Sequence, residues 1–452
     1  MRNLYNIAIW FYALAVRVVA IFNPKVRLMW QGERDAYAKI ESGLREGDRV
    51  VWVHAASLGE FEQGRPLIEK LKRENPEYKI LLTFFSPSGY EVRKNYAGAD
   101  VIAYLPLDTA RNAKRFVELV KPEKVVFVKY EFWLNYLREL RVRGVDTYII
   151  SAIFRENQVF FKWYGGIFRE GLKAFKTLFV QNEESKGLLK GIGVENVVVA
   201  GDTRFDRVAD IAAAAKKLEI VERFVNAQCT TNGLELQRKM HNAKLPVLVV
   251  GSSWGPDEDL LARYINERAG RMKMIIAPHE VREERIKELT GKLTCKYVLY
   301  REELGVRSEE LLTPSPSAPL LRQGKNMECR SALNDADVLV VNTIGVLSSV
   351  YQYGQVAYIG GGFGVGIHNT LEAAAWGMPV VFGPNYKKFQ EAKELIECGA
   401  GWSIKNYEEC ARALDEFFEK NEEASKAAAE YVVSHTGATE IIHNAQFTIH
   451  NS

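Results

Sequence analysis

"VVWVHAASLGEFEQGRPLIEKLK", residues 50–72, decides the fold. It opens on a β-branched and aromatic run. It closes on a stretch whose apolar residues (Phe61, Leu67, Ile68, Leu71) recur at helical spacing. Between the two, Ser57-Leu58-Gly59-Glu60 leaves room only for a tight turn, so the segment is predicted to be a strand feeding directly into a helix. An acid in the first turn of a helix meets the macrodipole for about 0.3–1 kcal/mol. Strand-to-helix turns in α/β folds also face the ligand crevice, where Glu60 would serve as a base. Position alone leaves both readings open.

The same alternation continues outward. Apolar runs stand at Val50–Ala55, Lys79–Phe85, Val101–Tyr104, Lys124–Val128, Asp146–Ser151, Thr177–Gln181 and Val197–Gly201, with amphipathic stretches such as Glu60–Arg73 and Thr109–Leu119 between them. Runs of this kind belong to strands buried on both faces of a parallel sheet. From Ala209 a polar helical stretch interrupts the rhythm. It resumes at Pro246–Gly251, Met272–Ala277, Tyr297–Tyr300, Asp337–Asn342, Val356–Gly361, Pro379–Gly383 and Gly401–Ile404, and a helical C-terminus follows about Asn406. Two doubly wound α/β domains are expected, over residues 25–208 and 209–435, with a tail at 436–452 and a crevice between the domains.

Composition fits a folded chain of 452 residues: 47% apolar, 26% charged, and 60 basic against 57 acidic side chains. A net charge of +3 does not announce a nucleic-acid binder. The five cysteines (Cys229, Cys295, Cys329, Cys398, Cys410) form no C-x-x-C pair, and the histidines form no H-E-x-x-H cluster. Free thiols in a reducing compartment, without a metal site, are the reading. The sequence carries no P-loop, no G-x-G-x-x-G after the first strand and no G-x-S-x-G elbow.

Residues 1–24 differ from this average. "YNIAIWFYALAVRVVAIF", residues 5–22, is interrupted only by Asn6 and Arg17, and no acid precedes Glu33. The run continues past the Ala13-x-Ala15 exit that a cleaved signal peptide would use. It is short for a spanning helix and holds a charge. An interfacial helix or short anchor, with Arg17 and Lys25 reaching anionic headgroups, fits best; a first core helix is the alternative.

The strongest local motif in the second half is "YIGGGFGVGIHNTLEAAAWGMPVVFGPNY", residues 358–386. A strand runs into five glycines and then a helix, the pattern of a phosphate cradle. His368, Asn369 and Glu372 stand at its mouth, the last two doubling as a capping box. "GSSWGPDED", residues 251–259, offers Ser252 and Ser253 to a phosphate, or as helix caps. In "GDTRFD", residues 201–206, Arg204 is placed to clamp an anion or to make a salt bridge.

Taken together, "VHAASLGEFEQGRPLIEKL", "FVKYEFWLNYL", "GDTRFD", "GSSW" and the glycine block resemble the 3-deoxy-D-manno-octulosonic acid (Kdo) transferases of lipopolysaccharide synthesis, from the N-terminal apolar segment to about residue 405. The resemblance implies a GT-B fold: two Rossmann-like domains facing a central crevice, with a membrane-associated N-terminal helix. It further implies inverting transfer of Kdo from CMP-Kdo to a lipid A precursor at the cytoplasmic face of the bacterial inner membrane, with no cofactor, metal or nucleic acid. By resemblance Glu60 is the general base and Glu131 a second catalytic carboxylate. Arg204, Ser252, Ser253, His279, Gly361, Gly362, His368, Asn369 and Glu372 would bind the donor, and Ser57, Gly59 and Arg155 the acceptor. The chain departs from the family pattern at Trp254, where a His is usual, and at Ala277-Pro278-His279-Glu280. It also departs at Asn342–Val346, onto which no donor contact is carried. Competing readings are a UDP-sugar transferase or epimerase of the same fold, and an inactive membrane-attached nucleotide-binding protein.

Overall fold

The computed structural model describes residues 2–227, 244–300 and 333–447. The polar stretch 228–243, with Cys229, and the segment holding Cys329 lie outside the described residues; Cys295, Cys398 and Cys410 are free thiols. The chain forms two compact units, residues 1–207 with 435–452, and residues 208–434.

The first unit holds strands β1 (Arg49–His54), β2 (Tyr78–Phe84), β3 (Val101–Tyr104), β4 (Lys124–Val128), β5 (Asp146–Ala152), β6 (Thr177–Val180) and β7 (Val197–Val199) in the spatial order β3-β2-β1-β4-β5-β6-β7. Every pairing is parallel. Because helices cover both faces, the central strands are buried on both sides, and Val51, Trp52 and Val53 have no solvent exposure at all. Trp52 packs against Phe116, Phe127 and Tyr136 on one face, while Val51 and Val53 join Phe61, Leu67 and Phe84 on the other.

The second unit repeats the plan with β8 (Val247–Ser253), β9 (Lys273–Pro278), β10 (Tyr297–Tyr300), β11 (Val338–Val341), β12 (Val356–Ile359), β13 (Val380–Phe382) and β14 (Gly401–Ser403), ordered β10-β11-β9-β8-β12-β13-β14 and all parallel. In each sheet the first strand has neighbours reached by opposite crossovers. The topological switch points are therefore β1/β4 and β8/β12, where open α/β sheets bind ligands.

Within residues 436–452, read as a tail, the described part returns to the first unit as the helix Ala438–Gln446. Asp206 of "GDTRFD" holds that return: its carboxylate accepts from the Gly437 and Thr439 N–H groups and the Thr439 hydroxyl at 2.6–2.7 Å. His443 beneath it meets Asn75 at 2.8 Å.

The N-terminal apolar segment is one helix, α1 (Arg2–Phe22), followed after Asn23 by α2 (Pro24–Gly43). Over Asn3–Phe22 it is long and apolar enough to cross a membrane, with a mean hydropathy of 1.8. A single stripe of α1 touches the domain. The Tyr5 hydroxyl donates to Asp108 at 2.6 Å, Asn6 accepts from Asn135, Val16 packs on the core and Ala20 is buried. Arg27 of α2 closes its C-terminus by donating to the Ala20 and Ile21 carbonyls.

Candidate active site

The turn after β1 and the turn after β4 meet at the first switch point, which brings Glu60 and Glu131 into one neighbourhood. Side chains alternate along a strand, so Trp52 and His54 share a face of β1, and the register sets His54 opposite Thr83 of β2. A hydrogen-bonded ladder results. The Trp52 indole N–H donates to Thr83 Oγ1 at 2.7 Å, His54 Nδ1 lies 2.9 Å from the same hydroxyl, and His54 Nε2 lies 3.2 Å from Glu131 Oε2. The Trp133 indole N–H closes on that carboxylate oxygen too. It also lies 3.2 Å from His54 Nε2, but the carboxylate is the stronger acceptor and takes the proton. The consistent assignment has the Thr83 hydroxyl donating to Nδ1 and the Nε2–H donating to Glu131. His54 has no solvent exposure.

Glu60 enters from α3 (Leu58–Glu74), which Ser57 caps through the Glu60 N–H at 3.5 Å. Its Oε2 accepts the Ala56 N–H at 2.7 Å, so the helix-cap reading is physically present. That bond and the nearby Lys129 stabilise the carboxylate. Burial first, and then the Glu131 charge, outweigh them and push Glu60 up to about 7. Lys129 follows β4 in the left-handed region at φ 68°, an unusual conformation for a side-chain-bearing residue. Tyr130 follows, and Arg155 donates to its hydroxyl at 3.1 Å. Arg155 and Glu131 border a cavity of about 610 Å³ whose walls are mostly aromatic: Tyr5, Phe132, Trp133, Phe160 and Phe168. Gly59 has open space around its α-carbon.

The second switch point gathers most of the other expected residues. Trp254, His279 and His368 form a stack, with centroids 4.6 Å apart for Trp254–His279 and 4.4 Å for His279–His368. The Trp254 indole N–H donates to His368 Nε2 at 3.1 Å. Burial, with the neighbouring His279, pushes His368 down to about 4, so it is a neutral imidazole at pH 7. Asp257 ties this centre together. Oδ2 accepts from the Gly361 and Trp254 N–H groups, and Oδ1 from the Tyr358 hydroxyl, all at 2.9 Å. Gly361 has φ 90°, and a Cβ there would stand 2.5 Å from the Gly366 carbonyl. Gly362 faces Gly383 backbone equally closely. Packing of loop on loop is thus one reason for these glycines.

Several expected residues have protein partners. Ser253 is buried and its hydroxyl donates to Glu258 at 3.3 Å, while Ser252 takes φ 54°. Arg204, expected to clamp an anion, places Nε and Nη2 each 2.9 Å from Asp202 Oδ2. Burial alone would raise Asp202, but Arg204 and Gln63 hold it below the usual carboxylate range. The helix expected after the glycines is a single turn, Leu371–Ala374, with Thr370 as N-cap. The capping box assigned to Asn369 and Glu372 forms otherwise: Asn369 Oδ1 accepts the Leu371 N–H, and its Nδ2 donates to Glu372 at 3.0 Å. Glu372 also receives the Ser348 hydroxyl. A one-turn helix has little dipole to offer a phosphate, so the loop N–H groups and side chains must supply the rest. Among the described residues no three His, Cys, Asp or Glu side chains converge as metal ligands.

Sequence reading missed Trp52, Thr83, Lys129 and Asp257. Trp52 and His54 at i and i+2 of a buried strand were the available signal for the ladder. Thr83 had none, because its role depends on register.

Two parallel Rossmann-like units are the plan of the GT-B class. The fold is similar to that of UDP-GlcNAc 2-epimerase from Neisseria meningitidis, with a TM-score of 0.56 and 16% identity over 88% of this chain and 98% of that one. Residues 30–207 match the family model for 3-deoxy-D-manno-octulosonic-acid transferase (kdotransferase). The 3-deoxy-D-manno-octulosonic acid transferase of Aquifex aeolicus is 26% identical over 85% of this chain and 90% of its own length. That of Bordetella pertussis is 25% identical over 95% and 96%. Over most of its length the chain is thus similar to Kdo transferases, and its first unit carries the match to their family model.

Proposed function

We propose that the chain moves Kdo from CMP-Kdo to a lipid A precursor in lipopolysaccharide synthesis, with inversion. The observation that carries this is Glu60 at the first switch point, drawn up to about 7 beside Glu131, within the segment that matches the family. A sugar hydroxyl is far too weak an acid to ionise near neutrality, so a base must take its proton as the new C–O bond forms. Glu60 supplies that base. Glu131, fixed by His54 and Trp133, stands beside it and aligns the acceptor. On the donor side the Trp254–His279–His368 stack is a surface for a base or sugar face, and the N–H groups of the 360–368 loop receive the phosphate charge released with CMP. Arg155 is the proposed acceptor cation, with Ser57 and Gly59 leaving the approach to Glu60 open.

The proposed place is the membrane surface, at its cytoplasmic face. The stripe from Tyr5 to Ala20 fixes α1 along the domain, and Leu4, Trp10, Phe11, Val18, Ile21 and Phe22 face outward. A helix held lengthwise with its opposite face apolar suits an in-plane, interfacial position better than a crossing one.

Incubating the chain with CMP-Kdo and a lipid A precursor, following CMP release and the mass of the lipid product, tests the reading. Product gained by one or more Kdo residues is expected. Turnover with a UDP-sugar alone overturns it.

A further inference from the structure

The turn between β5 and the helix Gly166–Leu172 carries two aromatic rings that the site described above does not use. Trp163 is 91% exposed and Tyr164 55%, with the rings edge to face at 5.5 Å. Single exposed apolar residues are common and need no account. This pair is different because the backbone beneath it is held firmly. The 3₁₀ turn Val159–Phe161 leads in, and Arg169 Nη1 donates to both the Phe160 and Lys162 carbonyls at 2.9 Å. Gly165 packs so tightly that a Cβ would sit 1.9 Å from the Val159 carbonyl. Phe160, directly below, is buried against Phe132, Phe154 and Phe168. An ordered turn therefore presents two large rings to the outside.

The position of the turn indicates the partner. Phe160 and Phe168 share one cavity wall with Tyr5, so the turn lies beside the first turns of α1, whose outward face carries Trp10 and Phe11. Trp and Tyr join an apolar body to an N–H or O–H, the combination favoured at the boundary between headgroups and acyl chains. Lys162 precedes them, and a cation there favours an anionic surface.

We propose that the Trp163–Tyr164 turn is a second membrane-insertion point, which seats in the headgroup–acyl boundary of an anionic phospholipid bilayer next to α1. This rests on the reading that α1 is interfacial. Seating both elements brings the aromatic cavity that ends at Glu131 and Arg155 to the lipid surface, so an amphipathic acceptor reaches the carboxylates without leaving the bilayer.

The test uses the full chain and vesicles of phosphatidylethanolamine and phosphatidylglycerol, with binding read by co-sedimentation. Trp163→Ser/Tyr164→Ser should weaken partitioning on the order of tenfold, the loss expected for removing two inserted rings. Its thermal midpoint should not move, and Trp163→Phe should retain most of the binding. Brominated lipid should quench wild-type tryptophan emission, and Trp163→Phe should lose that quenched share. Trp10→Ser/Phe11→Ser, on the outward face of α1, separates the two ideas. Weakening by this pair alone overturns the turn proposal and keeps the interfacial helix. Weakening by the Trp163/Tyr164 pair alone overturns the interfacial helix on which the proposal rests, and with it the seating of the turn next to α1. Unchanged vesicle binding with loss of a dimer in sedimentation velocity overturns the proposal, because the rings then serve a second copy of the chain.

Discussion

His54 Nε2 lies 3.2 Å from Glu131 Oε2, although 77 residues separate them in sequence. The imidazole is itself fixed by Thr83 on its other nitrogen, so the carboxylate is oriented by a side chain that has no freedom of its own. Under the proposed function this makes His54 a positioning residue. In His54→Gln an amide N–H still reaches the place of Nε2, whereas His54→Asn reaches only the Thr83 side. We expect kcat to fall by about 10²-fold in His54→Asn with KM little changed, the cost of a misplaced group, and within a few-fold of wild type in His54→Gln. Equal losses in both variants would contradict the assignment.

Glu60→Gln removes the proposed base but keeps the size and the hydrogen bond from Ala56. Transfer should drop by roughly 10²–10⁴-fold, as expected for a lost general base, with the dissociation constant for the donor nucleotide unchanged. Steady-state CMP release and calorimetric titration read the two quantities separately.

The pH dependence follows from the same carboxylate. As the proposed base Glu60 has to be ionised, and it is pushed up to about 7, so kcat should climb with pH through that region. Glu131→Gln deletes the neighbouring charge that helps raise it, and the acid limb should move to lower pH. For stability the sign is opposite. A folded-state value above the unfolded one contributes stability that is present at low pH and lost as pH rises through about 7. Glu60→Gln should therefore stabilise the fold by about 1–3 kcal/mol at pH 8 and by almost nothing at pH 4, as read by denaturant unfolding.

Asp257 is the shared acceptor for two backbone N–H groups and a tyrosine hydroxyl at the second switch point. Asp257→Ala leaves those donors buried without partners, which costs about 2–4 kcal/mol. Donor affinity should fall with it, because the Gly361 turn loses its tether. Asp257→Asn, which keeps an acceptor oxygen, should recover much of both.

His368 is neutral above about 4, so its contribution to the proposed donor site is shape and hydrogen bonding, without charge. Nucleotide affinity should therefore stay flat between pH 5.5 and 8, apart from the titration of the ligand itself. A rise in affinity near pH 6.5 that His368→Gln abolishes would show that the imidazole charges when the ligand binds.

The sequence alone determined the two α/β units and the fourteen strands among the described residues, because near-continuous apolar runs have few other places to go than a sheet buried on both faces. It marked Glu60, since a turn of three residues leaves its position little choice, and α1, since an acid-free apolar run stands out from its surroundings. What tertiary structure decided was every relationship that depends on register or crossover. Thr83 meets His54 only because β2 pairs with β1 in that register. Glu131 joins Glu60 only because β4 crosses to the other side of β1. Asp206 and Arg204 looked alike as polar residues of one motif, yet one anchors the returning C-terminal helix and the other pairs with buried Asp202. Local pattern sets which element a residue occupies; its hydrogen-bond partner is set by chain topology, which brings distant residues within 3 Å and which no local period encodes.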